Sequence, residues 1–256
     1  MKLIDTHTHL YDEAFASEEV EVVDRAVENG VVKMVLPDID SKSREAMFSL
    51  AASKPGVLFP CLGVHPTSVG ADWRNEVALM EEEIPRREIY AVGEVGLDFY
   101  WSKEFAAEQE TVFGIMLDLA AKLDLPVIIH SRESTGRIVE MLKERKGKNL
   151  RGVFHAFSGS IETFRELEKC GDWYVGIGGV VTFKKASIAE TVKDIPLSRI
   201  VLETDSPYLT PVPKRGTRNE SSYVRYIAET VARLKGANPE EVAAITSANA
   251  EELFRI

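Results

Sequence analysis

The five histidines of the sequence are spaced in a way that suggests metal binding. His7 and His9 stand two residues apart in LIDTHTHL, directly after the apolar start of a predicted first strand. Because side chains alternate along a strand, we expect Asp5, His7 and His9 on one face, where the two imidazoles can hold one metal ion. Core and surface histidines are common, so this pair alone is only a moderate indication of a metal site.

The other three histidines strengthen the metal hypothesis. His65 ends the stretch CLGVH, His130 ends PVIIH and His155 ends RGVFH. All five histidines therefore lie at or near the carboxyl end of a predicted strand. In barrels of parallel strands, that end carries the active site.

Two carboxylates have comparable positions. Glu94 lies among apolar residues and glycines in AVGEVGLDFY, and Asp205 ends VLETDSPYL. A buried carboxylate needs a cation or a donor nearby, which can be an arginine or a metal ion. Four histidines, one glutamate and one aspartate are enough ligands for two divalent ions that share a carboxylate and a hydroxide. Such a centre would perform hydrolysis.

The elements that must position these residues alternate along the whole chain. Amphipathic helical windows separate short stretches rich in β-branched residues, namely KLIDTH, VVKMVLPDI, VLFPCLGVH, IYAVGEVGLDF, PVIIHS, RGVFHAFS, WYVGIGGVVTF and RIVLETDS. Apolar strands that are each followed by a helix indicate a parallel sheet buried on both faces. Eight such units predict an α/β fold, a (β/α)8 TIM barrel, with a doubly wound open sheet as the alternative. Two helices are predicted near the C-terminus, at about 219–236 and 239–255. A (β/α)8 barrel needs only one of them, so the last is an extra C-terminal helix.

Length and composition limit the possible classes of protein. The 256 residues, 45% of them hydrophobic, are expected to form a single domain over 1–256. The apolar runs are too short to cross a membrane and the N-terminus lacks a signal-peptide pattern, so we expect a cytoplasmic protein without a membrane partner. Cys61 and Cys170 are too far apart for a zinc ribbon or a disulfide framework. The net charge of -10 disfavours general binding to polyanions, although a locally basic cleft would still permit it.

The motifs DTHTHL, GEVGLDFY, PVIIHSRE, HAFSGS and ETDSPYLTPVPKRGTRNE together resemble the TatD family of metal-dependent deoxyribonucleases, within the amidohydrolase superfamily. The similarity extends from residue 3 to the C-terminal NAEELF. Other binuclear enzymes of that superfamily bridge their metals with a carboxylated lysine. Here no lysine lies at the corresponding strand ends, and Glu94 occupies the bridging position.

The resemblance implies a ligand set for each of two ions. His7, His9, Glu94 and Asp205 would hold one metal, and Glu94, His130 and His155 the other. Asp205 would also orient or deprotonate the attacking water, so Asp205 and Glu94 are the expected catalytic residues. Zinc, magnesium and manganese are all compatible with this mixture of imidazoles and carboxylates.

Three further residues are candidates for supporting roles. His65 and Arg132 are expected to face the cleft and donate hydrogen bonds to substrate phosphate. Glu203, two residues before Asp205 on the same strand face, is expected to support the site by hydrogen bonding. The residue sequence after the strand-three histidine, Pro66-Thr67-Ser68, departs from the polar continuation common in the family and leaves the substrate contacts there open.

Basic and aromatic residues are interleaved on the loops that follow the strands: Lys103, Arg132, Arg137, Lys184, Lys185, Lys214, Arg215 and Arg218 with Tyr100, Trp101, Phe157, Phe183 and Tyr208. Such loops could bind a phosphodiester backbone and stack bases. We therefore expect a deoxyribonuclease, a 3'-5' exonuclease on single-stranded DNA, with DNA as partner and no obligate protein partner. The alternative is a carboxyl-ester or amide hydrolase, such as a D-aminoacyl-tRNA deacylase.

Overall fold

Eight parallel strands alternate with helices in a computed structural model that describes residues 1–256. The strands are β1 (Leu3–Asp5), β2 (Val31–Leu36), β3 (Leu58–Pro60), β4 (Val92–Asp98), β5 (Val127–Arg132), β6 (Arg151–Phe154), β7 (Asp172–Ile177) and β8 (Ile200–Leu202). The helices are α1 (Glu19–Glu28), α2 (Arg44–Ser53), α3 (Trp73–Glu83), α4 (Ala106–Leu123), α5 (Thr135–Glu144), α6 (Ile161–Glu168), α7 (Ile188–Asp194), α8 (Val224–Lys235) and α9 (Pro239–Phe254). None of the helices is both long enough and apolar enough to cross a bilayer.

The strands follow one another in chain order around a ring. β1 to β3 pair as one parallel sheet, and β4 to β8 pair as a second. Isolated bridges join the two sheets at both seams, between Thr8 and Ser206 and between Leu62 and Val92. The last strand thus lies beside the first, as in the predicted (β/α)8 barrel and not as in an open sheet.

The barrel interior is filled by one apolar layer that each strand region supplies: Ile4, Val35, Phe59, Ala91, Ile128, Val153, Tyr174 and Val201. Ala250, Leu253 and Phe254 of α9 pack in the same cluster. Asn238 caps α9, since its side chain accepts a hydrogen bond from the Glu240 N–H at 2.8 Å. The extra C-terminal helix therefore packs against the barrel interior, while a larger core lies between the strands and the outer helices.

Two predicted boundaries are wrong. The VVTF part of WYVGIGGVVTF does not extend β7, because a 3-10 turn over Gly179–Thr182 follows that strand. The helix expected from residue 219 begins only at Val224. Asn219 belongs to the preceding loop instead, where its amide donates to the Thr204 carbonyl at 2.8 Å.

Candidate metal centre

A bend after β1 brings the two N-terminal histidines to the mouth of the barrel. Ile4 belongs to the interior layer, so alternation directs its neighbour Asp5 away from the interior. Asp5 instead accepts hydrogen bonds from the Thr204 N–H at 2.9 Å and the Thr204 hydroxyl at 2.6 Å. The prediction that Asp5 shares a face with His7 and His9 is therefore wrong, because the regular strand ends at Asp5 and alternation stops there.

Glu94 reaches the same mouth through an irregularity in β4. The pairing of β4 with β5 shifts register between Val92 and Val95, around Glu94. Irregularities of this kind redirect a side chain and are frequent next to active sites. Glu94 is 2% exposed, and its carboxylate lies among the histidines.

Four donor atoms meet in a first group. The Glu94 Oε2 atom lies 3.1 Å from His7 Nε2 and 3.7 Å from His9 Nε2. Asp205 Oδ1 lies 3.8 Å from His7 Nε2 and 3.7 Å from His9 Nε2. Two ligands of one tetrahedral zinc ion lie about 3.4 Å apart. The spacing of this group therefore fits a divalent ion.

A second group forms on the other oxygen of the same glutamate. Glu94 Oε1 lies 2.8 Å from His130 Nδ1 and 3.6 Å from His155 Nε2. His65 Nε2 is also close, at 3.4 Å from Glu94 Oε1 and 3.3 Å from His130 Nδ1. The two carboxylate oxygens of Glu94 thus face two different sets of imidazoles, as a bridging ligand would.

The hydrogen bonds of His9 and His130 fix which ring nitrogen is free. The Tyr11 hydroxyl donates to the Pro37 carbonyl, so it can only accept from His9 Nδ1, 3.0 Å away. His130 Nε2 lies 2.9 Å from the carboxylate of Asp98, to which it donates. His9 Nε2 and His130 Nδ1 therefore keep their lone pairs and point toward the Glu94 carboxylate, where a metal ion could bind.

Glu203 lies beside the Nδ1 atom of His155 and so leaves the Nε2 atom free. Its Oε1 atom lies 3.2 Å from His155 Nδ1, as an ion pair and not a well-aligned hydrogen bond, and it also accepts from the Ala156 N–H at 2.6 Å. Gly176 on β7 makes room for this carboxylate, since a Cβ atom there would lie 2.1 Å from Glu203 Oε2. His155 Nε2 is left to face Glu94.

His65 has the opposite arrangement. Its Nδ1 atom accepts from the Thr67 N–H at 3.2 Å, and a backbone N–H can only donate. In the neutral ring the proton therefore lies on Nε2, which faces Glu94 and His130. His65 lies close enough to Glu94 and His130 to share a metal ion with them. With the proton on Nε2, however, His65 donates a hydrogen bond into the cleft and is not a metal ligand.

Crowding of carboxylates and imidazoles shifts the pKa of several groups. Burial, with repulsion from Glu94 and against the attraction of His155, raises the pKa of Asp205 to about 7. Burial disfavours the charged form of His155, but the carboxylates of Glu203 and Glu94 outweigh it and raise its pKa to about 10. Burial lowers the pKa of His9 to about 4. The centre therefore contains buried anions that are stable only with bound protons or cations.

The nitrogen and oxygen donor atoms of the two groups fit divalent cations. Without an added proton, His130 Nδ1 and Glu94 Oε1 are both acceptors, yet they lie only 2.8 Å apart. Two acceptors at that distance repel each other unless a proton or a metal ion lies between them. Nitrogen and carboxylate donors together suit zinc, and the carboxylates also allow magnesium or manganese.

Members of both donor groups line a cleft of about 750 Å³. Arg132 lines this cleft and stacks its guanidinium on Tyr100, 3.8 Å from the ring centroid. Arg137 and Arg218, which we expected among the substrate-facing cations, are instead paired with Glu110 and Glu18, both at 2.8 Å. Arg132 is thus an available cation beside the donor groups.

Sequence reasoning missed Tyr11 and Asp98, which orient His9 and His130. Both had a signal in the sequence. Tyr11 continues the alternation of H-x-H by one more step, and Asp98 follows Glu94 by four residues on the same predicted strand. Neither residue is a ligand candidate, and for that reason the ligand motifs did not reveal them.

Comparison with known proteins identifies the family. A family model described as TatD related DNase matches residues 4–255. The chain belongs to the TatD family. A metal-dependent hydrolase of Bacillus subtilis, YabD, is 39% identical to this TatD-family chain, over 99% of each sequence. A protein of Pantoea vagans named 3'-5' ssDNA/RNA exonuclease TatD is 34% identical, over 99% of this chain and 100% of its own.

A solved structure supports the fold of this TatD-family chain. The crystal structure of YJJV, a TatD homologue from Escherichia coli K12, has a TM-score of 0.92 and 26% identity, covering 99% of this chain and 98% of its own. The predicted family, barrel fold and enzyme class are confirmed: the chain is a TatD-family metal-dependent hydrolase that acts on ester bonds.

Proposed function

We propose that this hydrolase is a nuclease that cleaves phosphodiester bonds at a binuclear metal centre, acting as a 3'-5' exonuclease on single-stranded DNA. The observation that carries the proposal is the placement of Glu94, whose two oxygens face two separate groups of imidazoles. The Pantoea vagans relative, named 3'-5' ssDNA/RNA exonuclease TatD, supports the choice of substrate.

The proposed ligands follow from the two donor groups. His7, His9, Asp205 and Glu94 would hold one divalent ion, and Glu94, His130 and His155 the other. Two bound divalent ions would supply Lewis acidity to the phosphate and make water a stronger acid. Zinc, magnesium and manganese remain the candidate metals.

The side chains around the centre then have distinct tasks. The Asp205 carboxylate, which lines the cleft and lies 3.7 Å from His9 Nε2, would accept the proton of the attacking water. His65 would donate from Nε2 to a non-bridging phosphate oxygen, and Arg132 would pair with the phosphate charge. Glu203 would hold His155 in place through the Nδ1 atom.

A nucleic-acid substrate agrees with where the unpaired cations lie. Many lysines and arginines form ion pairs with carboxylates on the barrel exterior. Basic side chains that form no ion pair lie on the loops after the strands and at the end of β5, namely Lys42, Lys103, Arg132, Lys184, Lys185, Lys214 and Arg215. A polyanion would thus meet free positive charge at the mouth of an otherwise acidic protein. Both cysteines are free and buried, in keeping with a proposed location in the cytoplasm.

The test compares two substrates in two variants. His65→Ala and Arg132→Ala should each lose roughly 10- to 1000-fold in turnover of a single-stranded oligonucleotide, because both contact phosphate. Turnover of a simple carboxyl ester should change much less. Arg74→Ala removes an exposed, unpaired arginine of α3 that does not line the cleft, and it serves as the control.

Three results would count against the proposal. Equal losses on both substrates would show that His65 and Arg132 support the metal site generally. Near-normal oligonucleotide turnover would show that neither residue contacts phosphate. Preferential hydrolysis of an aminoacylated tRNA by the wild-type protein would favour a deacylase.

A further inference from the structure

Two loop segments on one side of the cleft contain basic residues and no acidic ones. Residues 178–187, between β7 and α7, include Lys184 and Lys185, and residues 206–219, within the loop after β8, include Lys214, Arg215 and Arg218. The chain as a whole has 41 acidic residues against 31 basic ones. Two neighbouring segments without any carboxylate are therefore a marked local departure from the composition.

These loops form one continuous surface. The Val212 N–H donates to the Thr182 hydroxyl at 2.8 Å, which joins the second loop to the first. Arg215 also stacks on Phe183, with its guanidinium carbon 4.3 Å from the ring centroid. We call Lys184, Lys185, Lys214 and Arg215 the basic surface; none of the four forms an ion pair.

The basic surface adjoins the metal centre. Asp205, Tyr208 and Leu209 line the cleft together, and the same loop continues from them to Lys214 and Arg215. Tyr208 is 53% exposed, so its ring is available to stack a base at the start of this path. A chain leaving the centre on this side would meet first an aromatic ring and then positive charge.

The opposite side of the mouth has the opposite charge. A groove of about 530 Å³ next to the cleft shares Asp98 and Trp101 with it. Its lining includes the carboxylates of Asp40, Asp72, Glu76 and Glu104 and a single basic residue, Lys42, so the groove is net negative. A phosphodiester backbone would be repelled there, whereas the basic surface would attract it.

We infer that a single-stranded nucleic acid leaves the metal centre over the basic surface, and that its backbone phosphates beyond the cleaved one pair with Lys184, Lys185, Lys214 and Arg215. This inference rests on the proposed nuclease function and adds the path of the strand over the protein surface. Electrostatic contacts of this kind release counterions and make binding depend on salt.

The test uses a quadruple variant, Lys184→Ala, Lys185→Ala, Lys214→Ala and Arg215→Ala, in the metal-loaded protein. A matched control removes four unpaired basic side chains elsewhere: Lys2→Ala, Lys122→Ala, Lys146→Ala and Arg233→Ala. Binding of a fluorescein-labelled phosphorothioate 15-mer of deoxythymidine is measured by anisotropy from low to high salt. Cleavage is measured on an unmodified 15-mer and on a thymidine dinucleotide.

We expect the slope of log Kd against log salt to become shallower by about 3 in the quadruple variant, since each single-strand phosphate contact contributes about 0.7. kcat/KM should fall at least about 10-fold on the 15-mer and stay within about 2-fold on the dinucleotide, which is too short to reach the surface. The control should behave like the wild type in both assays.

Two outcomes separate the inference from the function on which it rests. If the quadruple variant and the control bind the 15-mer alike, the inference is overturned, even where both cleave DNA. If the wild type cleaves neither DNA substrate but binds the 15-mer through these four residues, the binding path stands and the nuclease function is wrong.

Discussion

Individual nitrogens decide the roles of the histidines in this protein. Tyr11 and Asp98 accept the proton of His9 and His130 and leave the opposite nitrogen free for a metal. Thr67 donates to His65 and so leaves the proton on the nitrogen that faces the cleft. Spacing along the sequence cannot show this difference, because it depends on which atom beside each ring donates and which accepts.

Asp205 is the proposed general base, so its basicity should matter most for turnover. Asp205→Asn keeps the shape of the side chain but removes its basicity, so turnover should fall about 100-fold or more. Folding should survive, because loss of one negative charge relieves the crowding with Glu94. The measurement is oligonucleotide turnover beside thermal unfolding, with the exposed Asp72→Asn as the matched change. Near-normal turnover in Asp205→Asn would place the base elsewhere.

The strands position the site residues at their carboxyl ends and at breaks in regular pairing. Regular alternation along β5, β6 and β8 directs His130, His155 and Glu203 inward, two positions after interior residues, and sequence periodicity is enough to predict that. The bend at Thr6 and the register shift around Glu94 are different. They arise from pairing between distant strands, so no local pattern in the sequence shows them.

Packing between β7 and β8 leaves room for the Glu203 carboxylate beside His155. Gly176→Ala should displace the Glu203 carboxylate, because the new Cβ atom would lie 2.1 Å from Glu203 Oε2. His155 would then lose its ion pair, and metal affinity should fall about 10- to 100-fold, the usual cost of losing a residue that orients a ligand. Isothermal titration calorimetry measures this, with Gly136→Ala as control because nothing lies within 4 Å of a Cβ there. Unchanged affinity in Gly176→Ala would show that Glu203 does not orient His155.

The whole molecule combines an acidic exterior with a centre that attracts cations. The family and barrel fold were predictable from sequence, because motifs and eight strand–helix units extend along most of the chain. The single domain over 1–256 remains a prediction. The proposed path of the substrate could not be predicted from the sequence. Whether Lys184 or Arg215 forms an ion pair depends on which carboxylates other helices and loops bring near.

Protons and metal ions should compete across the whole centre. In the metal-free protein His155 has a pKa of about 10, so at pH 8 it carries a proton that a metal ion must displace. Metal affinity should therefore rise with pH up to about 10, and binding should release protons. Calorimetry at pH 8 in two buffers of different ionisation enthalpy gives the number released. Binding without proton release would contradict the raised pKa.

We propose that one chain holds two divalent ions that share Glu94, and the number of ions bound at saturation tests this. After equilibrium dialysis against excess zinc or manganese, elemental analysis should give two ions per chain in the wild type. His130→Ala removes a ligand of one group only and should give one ion per chain. A wild-type protein that binds a single ion, or none, at saturating metal would contradict the proposed binuclear centre.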